Sequence, residues 1–362
     1  MAPPGRHAGG VRVLVTGGAG FIGRPSVRRL VAAGHQVTVL DSLRADVHHG
    51  QEPVQPDGAR LVVADVRDHD AVAAAMSGAD RVVHLAAKVG LGVGVDDIED
   101  YVSSNDLGTA VVLRAAARAG VGHLVLASSM VVYGEGAYDC PTHGRVAAGP
   151  RQVADLAAGV FDPRCPRCRV VLAPALVTEE APADPRNVYA ATKVHGEHLL
   201  SSWARLTGAS ATALRFHNVY GPGMPRDTPY AGVAAIFRSS LAHGAAPHVF
   251  EDGGQRRDFV HVDDIAAAVT AAAAQGITGG PPSGPIGSLV ALNVGSGTVT
   301  TVGNLAEGLA RVMGGPPPVV TGQYRVGDVR HITASSARAR EVLGWHPRVA
   351  LADGLAELVA RG

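Results

Sequence analysis

The chain has 362 residues, 46% of them hydrophobic, with 32 Lys+Arg against 32 Asp+Glu and a formal net charge of +0. This length suits one large α/β domain or two unequal lobes, and the charge balance argues against nucleic acid or an anionic membrane as partner. No apolar run reaches the roughly 18 residues needed to cross a bilayer, and three cysteines, an odd number, make no disulfide framework, so a reducing cytoplasm is expected.

Met1 to Gly10 has no apolar stretch of the kind a signal peptide carries and reads as a loose tail. Val11 to Val15 is a buried strand, apolar and β-branched. It runs into Thr16-Gly17-Gly18-Ala19-Gly20-Phe21-Ile22-Gly23. The spacing assigns a tight turn to Gly17, close approach of a pyrophosphate to Gly20 and close helix–sheet packing to Gly23. The helix that follows ends at Gly34 and would point its N-terminus at the phosphates. A second strand, Gln36 to Leu40, is closed by Asp41, the acid expected on an adenosine ribose. A carboxylate there disfavours the extra phosphate of NADP.

The alternation continues. Arg60 to Ala64 is a strand ending in Asp65-Val66, expected beside an adenine edge. Arg81 to Leu85 ends in Leu85-Ala86-Ala87, small residues against which a dinucleotide can lie. A helix over about 98–119 carries Asn105, and the strand Val121 to Ala127 delivers Ser128 and Ser129 to the same crevice. Strands separated by helices in this rhythm predict a Rossmann-like, doubly wound parallel sheet. Tyr189-Ala-Ala-Thr-Lys193 puts a phenol and an ammonium four residues apart on one helix face. The ammonium would favour the phenolate, making Tyr189 a base for a sugar hydroxyl; a hydroxyl from Ser128 or Ser129 could bond the same oxygen. Beyond Phe216 come a Gly/Pro-rich stretch (221–229), a helix over 230–243, a short strand over 247–250, a Gly/Pro/Ser loop over 276–288 and a closing helix over 338–345.

These motifs together resemble the extended short-chain dehydrogenase/reductase fold of the nucleotide-sugar epimerase/dehydratase family. The matching residues are TGGAGFIG at 16–23, Asp41, DV at 65–66, HLAA at 84–87, Asn105, SSMVVYG at 128–134 and YAATK at 189–193. RFHNVYGPG at 215–223, RDFVHVDD at 257–264, NVGSG at 293–297 and RVGD at 325–328 follow in the family's order. The resemblance implies a catalytic set of Ser129, Tyr189 and Lys193. NAD would be held by Gly17, Gly20, Phe21, Ile22, Gly23, Asp41, Asp65, Val66, Leu85, Ala86, Ala87, Asn105, Tyr189 and Lys193. The sugar nucleotide would be held by Ser129, Asn218, the backbone at Val249, Arg257 and Arg325, since guanidinium pairs suit a diphosphate. It implies an NAD lobe over 11–216 and a smaller, mainly substrate-binding lobe over 217–362, part of which returns to the main sheet. It also implies a homodimer built on the helices carrying Asn105 and Tyr189. Within the family the likeness is to UDP-glucose 4-epimerase-like enzymes and particularly to dTDP-L-rhamnose 4-epimerases. The preferred reaction is C4 epimerisation of dTDP-L-rhamnose and dTDP-6-deoxy-L-talose, with UDP-glucose and UDP-galactose as runner-up. The family's dehydratases carry Asp-Glu directly after the catalytic Thr; here Met130 and Val131 stand there and cannot transfer protons. A net sugar-nucleotide dehydrogenase and a non-catalytic dinucleotide-binding protein are the other readings.

The stretch 134–186 is longer than the family's usual loop and holds all three cysteines. Cys140-Pro-Thr-His143 and Cys165-Pro-Arg-Cys168 are two knuckles of zinc-ribbon type. They predict a flap ordered by one structural zinc, with three free thiols and a surface histidine as the plainer alternative and a redox C-x-x-C, which no thioredoxin-like helix follows, as the third.

Overall fold

The computed structural model describes residues 10–45, 58–90, 95–225, 232–275 and 287–361. The expected loops over 221–229 and 276–288, the N-terminal tail and the start of the 230–243 helix fall wholly or partly outside them.

Seven parallel strands form the main sheet: β1 (Arg12–Thr16), β2 (Gln36–Asp41), β3 (Arg60–Val63), β4 (Arg81–His84), β5 (His123–Ser129), β6 (Ser210–Phe216) and β7 (Leu289–Val294). Their order across the sheet is β7-β6-β5-β4-β1-β2-β3, so the winding direction reverses at β1 and opens a crevice at the carboxyl edge. Both faces are covered. Val13, Val15, Val39 and Val125 pack with the Val262–Ala273 helix on one side; Leu14, Leu40, Val82 and Leu124 pack with the Gly108–Ala119 and Val188–Thr207 helices on the other. Each such fully buried side chain contributes about 1.5–3 kcal/mol, which is why these strands read as near-continuous apolar runs. Register brings the functional ends level: Thr16 pairs with Leu40 and His84, and Ser129 with Phe216.

The chain then alternates between the two parts of the molecule. Asn218–Tyr220, Arg256–His261 and Val299–Thr301 form a small second sheet. Around it, the Val233–Ala242, Val302–Met313 and Leu351–Arg361 helices bury Phe237, Leu305, Leu309 and Leu358 as a separate core. Strand β7 lies in the main sheet although it belongs to the second half of the sequence.

Three elements differ from the sequence reading. The helix expected to close the chain over 338–345 is Ala337–Leu343 and is followed by a last helix, Leu351–Arg361, which starts beyond Pro347, a residue that cannot continue the first. The helix expected over 98–119 is interrupted by a π-helical stretch, Val102–Leu107, a widened turn of the sort found near functional sites. It turns Asn105 inward, where buried polar partners compensate for the poorer helical bonding. The insert carries its own three-stranded antiparallel sheet of Gly144–Val146, Ala137–Cys140 and Ala173–Ala175. No alternation long enough to reveal strands of three and four residues exists in that stretch.

Candidate active site

A cavity of about 440 Å³ opens at the carboxyl edge of the sheet. Gly17, Gly20 to Gly23, Asp41, Asp65 and Val66 line one end, Leu85 to Ala87 the middle, and Ser129, Tyr189, Lys193 and Asn218 the other.

The glycine loop is required by its neighbours. Gly17 has φ +70°, and a Cβ there would lie 2.6 Å from the Ala86 nitrogen. Asp41 accepts from Ala19 N–H (3.0 Å) with one oxygen and from Leu43 N–H (3.0 Å) with the other, so it braces the loop from the next strand. The helix Gly23–Ala32 has no acid in its first turn, leaving its N–H groups and positive end to an anion. Asp65 is held by Arg67 at 2.7 Å, and that hydrogen bond keeps its carboxyl below the usual range. These residues fit a dinucleotide.

At the opposite end, Asn187 caps the Val188–Thr207 helix by accepting from Ala190 N–H at 2.8 Å, which fixes Tyr189 in the first turn. Lys193 Nζ lies 5.6 Å from the centre of the Tyr189 ring and donates to the Ala127 carbonyl at 2.9 Å. Desolvation pushes Lys193 down to about 8, against the pull of Glu197. The expectation that Lys193 lowers the Tyr189 pKa is corrected here. Desolvation raises the Tyr189 phenol above its ordinary value, and the opposing influence is its hydrogen bond with Ser129. The lysine is bound to a carbonyl, and its proximity is to the ring. Of the two serines, Ser128 is buried and donates to Glu197 at 2.5 Å; Ser129 is the one bonded to Tyr189. Glu197 in turn pairs with Arg215 at 2.7 Å, so Ser128, although it also lines the cavity, has its hydroxyl engaged on a paired carboxylate.

Four expected binding residues are not among those lining the cavity. Asn105 accepts from Lys88 N–H (2.7 Å) and donates to the Lys88 carbonyl (3.0 Å) and Thr192 Oγ1 (2.9 Å). Its amide thus ties the strand end after β4 to the Val188–Thr207 helix. Val249 is buried, and its carbonyl accepts from Thr321 N–H at 2.9 Å. Arg257 gives its terminal nitrogens to the carbonyls of Arg256, Arg330 and Val329. Arg325 is exposed and stacks 4.9 Å from the Phe250 ring centre.

The cavity also has polar residues that sequence reasoning passed over. Lys88 lines it and pairs with Asp100 at 2.7 Å and Asp97 at 3.2 Å; its place directly after HLAA was the available signal. His217 and Tyr220 line it too, with the His217 ring nitrogens and the Tyr220 hydroxyl buried and without hydrogen-bond partners among the described residues. Burial holds His217 neutral, down to about 4.

In the insert, the Sγ atoms of Cys140, Cys165 and Cys168 and a ring nitrogen of His143 all lie within 4.8 Å of one another. Cys140 Sγ is 3.4 Å from His143 Nδ1 and 3.6 Å from Cys168 Sγ; Cys165 Sγ is 3.5 Å from the same nitrogen. A tetrahedral ion bound at about 2.0–2.3 Å from each donor needs donor separations of this order.

Residues 13–153 and 173–287 match the NAD dependent epimerase/dehydratase family. The break between the matched stretches holds Asp162, Cys165 and Cys168. The chain is 36% identical to a dTDP-L-rhamnose 4-epimerase of Burkholderia thailandensis over 355 residues, 96% of this chain and 94% of that protein. It is 35% identical to a UDP-glucose 4-epimerase of Mycolicibacterium smegmatis over 356 residues, 96% and 97% of the two chains. Among solved structures, the UDP-glucose 4-epimerase of Thermotoga maritima with UDP-glucose superposes with a TM-score of 0.77 at 28% identity, covering 97% of this chain and 98% of that one. The Thermus thermophilus UDP-glucose 4-epimerase complex with NAD gives 0.75 at 29% identity, covering 97% and 98%. Among the described residues, no helix is long and apolar enough to cross a membrane.

Proposed function

The chain belongs to the NAD dependent epimerase/dehydratase family, and we propose that it inverts C4 of a nucleotide-diphosphate sugar. The observation that carries this reading is the Ser129–Tyr189–Lys193 group at one end of a cavity whose other end is the glycine loop. Met130 and Val131, which follow Ser129, supply no acid or base for eliminating water.

Bound NAD supplies a hydride acceptor and donor at the sugar C4. Gly17, Gly20, Phe21, Ile22 and Gly23 would cradle its pyrophosphate, Asp41 its adenosine ribose, and Lys193 its nicotinamide ribose. Tyr189 takes the proton of the C4 hydroxyl and returns it after the 4-keto sugar has turned its other face. Ser129 holds the sugar oxygen and the phenol in one hydrogen-bond line. A positively charged nicotinamide beside Tyr189 would offset the desolvation that raises its pKa in the free protein. Asn218, Arg257 and Arg325 would meet the diphosphate, the last two after side-chain rearrangement out of their present contacts.

The preferred substrate pair is dTDP-L-rhamnose and dTDP-6-deoxy-L-talose, supported by the 36% identical Burkholderia enzyme. UDP-glucose and UDP-galactose form the second reading, supported by a relative at 35%. One zinc ion at Cys140, His143, Cys165 and Cys168 would be structural, since four donors leave no open position. The exposed Ile98, Val102 and Leu107, on the helical stretch that carries Asn105, support a homodimer.

Incubating the pure enzyme separately with dTDP-L-rhamnose and UDP-galactose and analysing the products tests the reading. Tyr189→Phe should bind NAD and turn over neither sugar. Near wild-type turnover by that variant would remove Tyr189 from the mechanism; conversion of UDP-galactose alone would reverse the substrate ranking.

A further inference from the structure

The segment from Arg325 to His331 has almost no regular structure, yet its polar groups are satisfied, largely by the insert. Arg151 donates to the Asp328 carbonyl at 2.6 Å with one nitrogen and to Glu251 Oε1 at 2.7 Å with another. Glu251 Oε2 accepts from Arg330 at 2.8 Å, and Arg330 Nε donates back to Asp162 of the insert at 2.8 Å. Asp162 also bonds the His331 ring at 3.0 Å. The result is a closed circuit, Arg151–Glu251–Arg330–Asp162, that begins and ends in the insert. Its inner members are dry, with the side chains of Arg151, Glu251 and Arg330 6%, 3% and 2% exposed, whereas Asp162 and Asp252, which also pairs with Arg330 at 2.7 Å, are 44% and 52% exposed. Charged hydrogen bonds in such a place are stiff, because water cannot replace a lost partner. Glu251 has φ +55°, a region that a residue with a Cβ disfavours; its N–H donates to the Gln323 carbonyl at 2.7 Å and its carboxylate carries two guanidiniums. Arg325, three residues before Asp328, stacks on Phe250, the residue next to Glu251. One circuit therefore sets both sides of the Arg325 contact.

We propose that Arg151 and Asp162 are positioning residues for substrate binding: the insert clasps the 325–331 segment and so fixes the backbone from which Arg325 swings off Phe250 to the diphosphate of the sugar nucleotide. This rests on the reading of Arg325 as a diphosphate ligand. The cysteine cluster belongs to the same unit. Cys165 follows Asp162 by three residues, and the insert's own small core consists of Tyr138, Cys140, Cys165 and Leu172. A guanidinium displaced by even an ångström loses much of its bidentate grip on a phosphate.

The test compares wild type, Arg151→Ala, Arg151→Lys and Asp162→Asn in the full-length, NAD-loaded enzyme. Asp162 is 44% exposed, so its variant should fold even if Arg151→Ala does not. Hydrogen exchange of the 325–331 amides reads the clasp, and calorimetric binding of dTDP and UDP reads its consequence. Exchange there should rise about tenfold in Asp162→Asn and Arg151→Ala, while the glycine-loop amides stay as in wild type. Nucleotide affinity should fall by roughly tenfold, with KM rising and kcat little changed on whichever sugar nucleotide is turned over. Arg151→Lys should recover part of both. Wild-type exchange in a folded variant would overturn the clasp. Faster exchange with unchanged affinity for both nucleotides would overturn its role in binding, while Arg325→Ala, measured alongside, tests the ligand itself: unchanged affinity in that variant would overturn the reading of Arg325 as a diphosphate ligand.

Discussion

Ser128 and Ser129 are neighbours in sequence with different surroundings. Ser128 is spent on Glu197, and Ser129 on Tyr189. Ser129→Ala should therefore lower kcat by about 10²-fold, the usual scale for a group that aids proton transfer. Ser128→Ala should leave kcat within a few-fold and cost about 1 kcal/mol in denaturant unfolding, the worth of a buried hydrogen bond. Equal losses of kcat in the two variants would mean that the assignment of the serines is wrong. The pair Tyr189/Lys193 was legible because a spacing of four is a local property of helices. The direction of the Tyr189 shift was not legible, because desolvation depends on what the fold stacks over the ring.

At the scale of elements, the π-helical stretch gives Asn105 its position between Lys88 and Thr192. Removing its amide takes away the hydrogen bonds that the buried N–H and carbonyl of Lys88 make with it. Asn105→Ala should cost about 2–4 kcal/mol in stability, one to two groups at the usual penalty. Its effect on NAD affinity, read by titrating the apo-protein, should be small beside that of Asp41→Ala. A large loss of NAD affinity with unchanged stability would restore Asn105 to the cofactor site. The knuckle motifs show the opposite balance. Their spacing marked four candidate ligands from sequence alone, and the short strands Ala137–Cys140 and Gly144–Val146 bring Cys140 and His143 to the same turn. Protein purified without chelator should carry one zinc per chain; substoichiometric zinc with three freely titrating thiols would reduce the cluster to bystanders.

For the molecule as a whole, buried histidines contribute to the loss of stability in acid. Desolvation lowers His84 to about 3 and His123 and His217 to about 4. A histidine whose folded pKa lies below its unfolded value takes up its proton first in the unfolded chain. Stability is then full above about 6.5 and falls as pH drops towards the folded values. Urea midpoints measured from pH 7 to pH 4.5 should decline steadily. His84→Gln should flatten part of that slope, because the ring bonded to Thr16 (2.6 Å) and Thr109 (3.0 Å) no longer contributes a titration. A midpoint independent of pH over that range would contradict the neutral state of these rings.

Local chemistry was readable from the sequence by itself. Strand–glycine turn–helix order, an acid ending the second strand, Tyr and Lys four apart, and paired knuckles each concern residues close in the chain, so spacing alone constrains them. The repetition of strand and helix likewise sufficed for a doubly wound sheet, since parallel strands need crossovers and buried strands need apolar runs. What required the tertiary structure was every contact between distant segments. Arg257 turns to carbonyls of 329 and 330, Ser128 to Glu197, and Arg151 reaches across to Glu251 and Asp328. A charged side chain carries no mark of its partner in its own neighbourhood; burial selects that partner, because only the folded chain decides which charges lose their water.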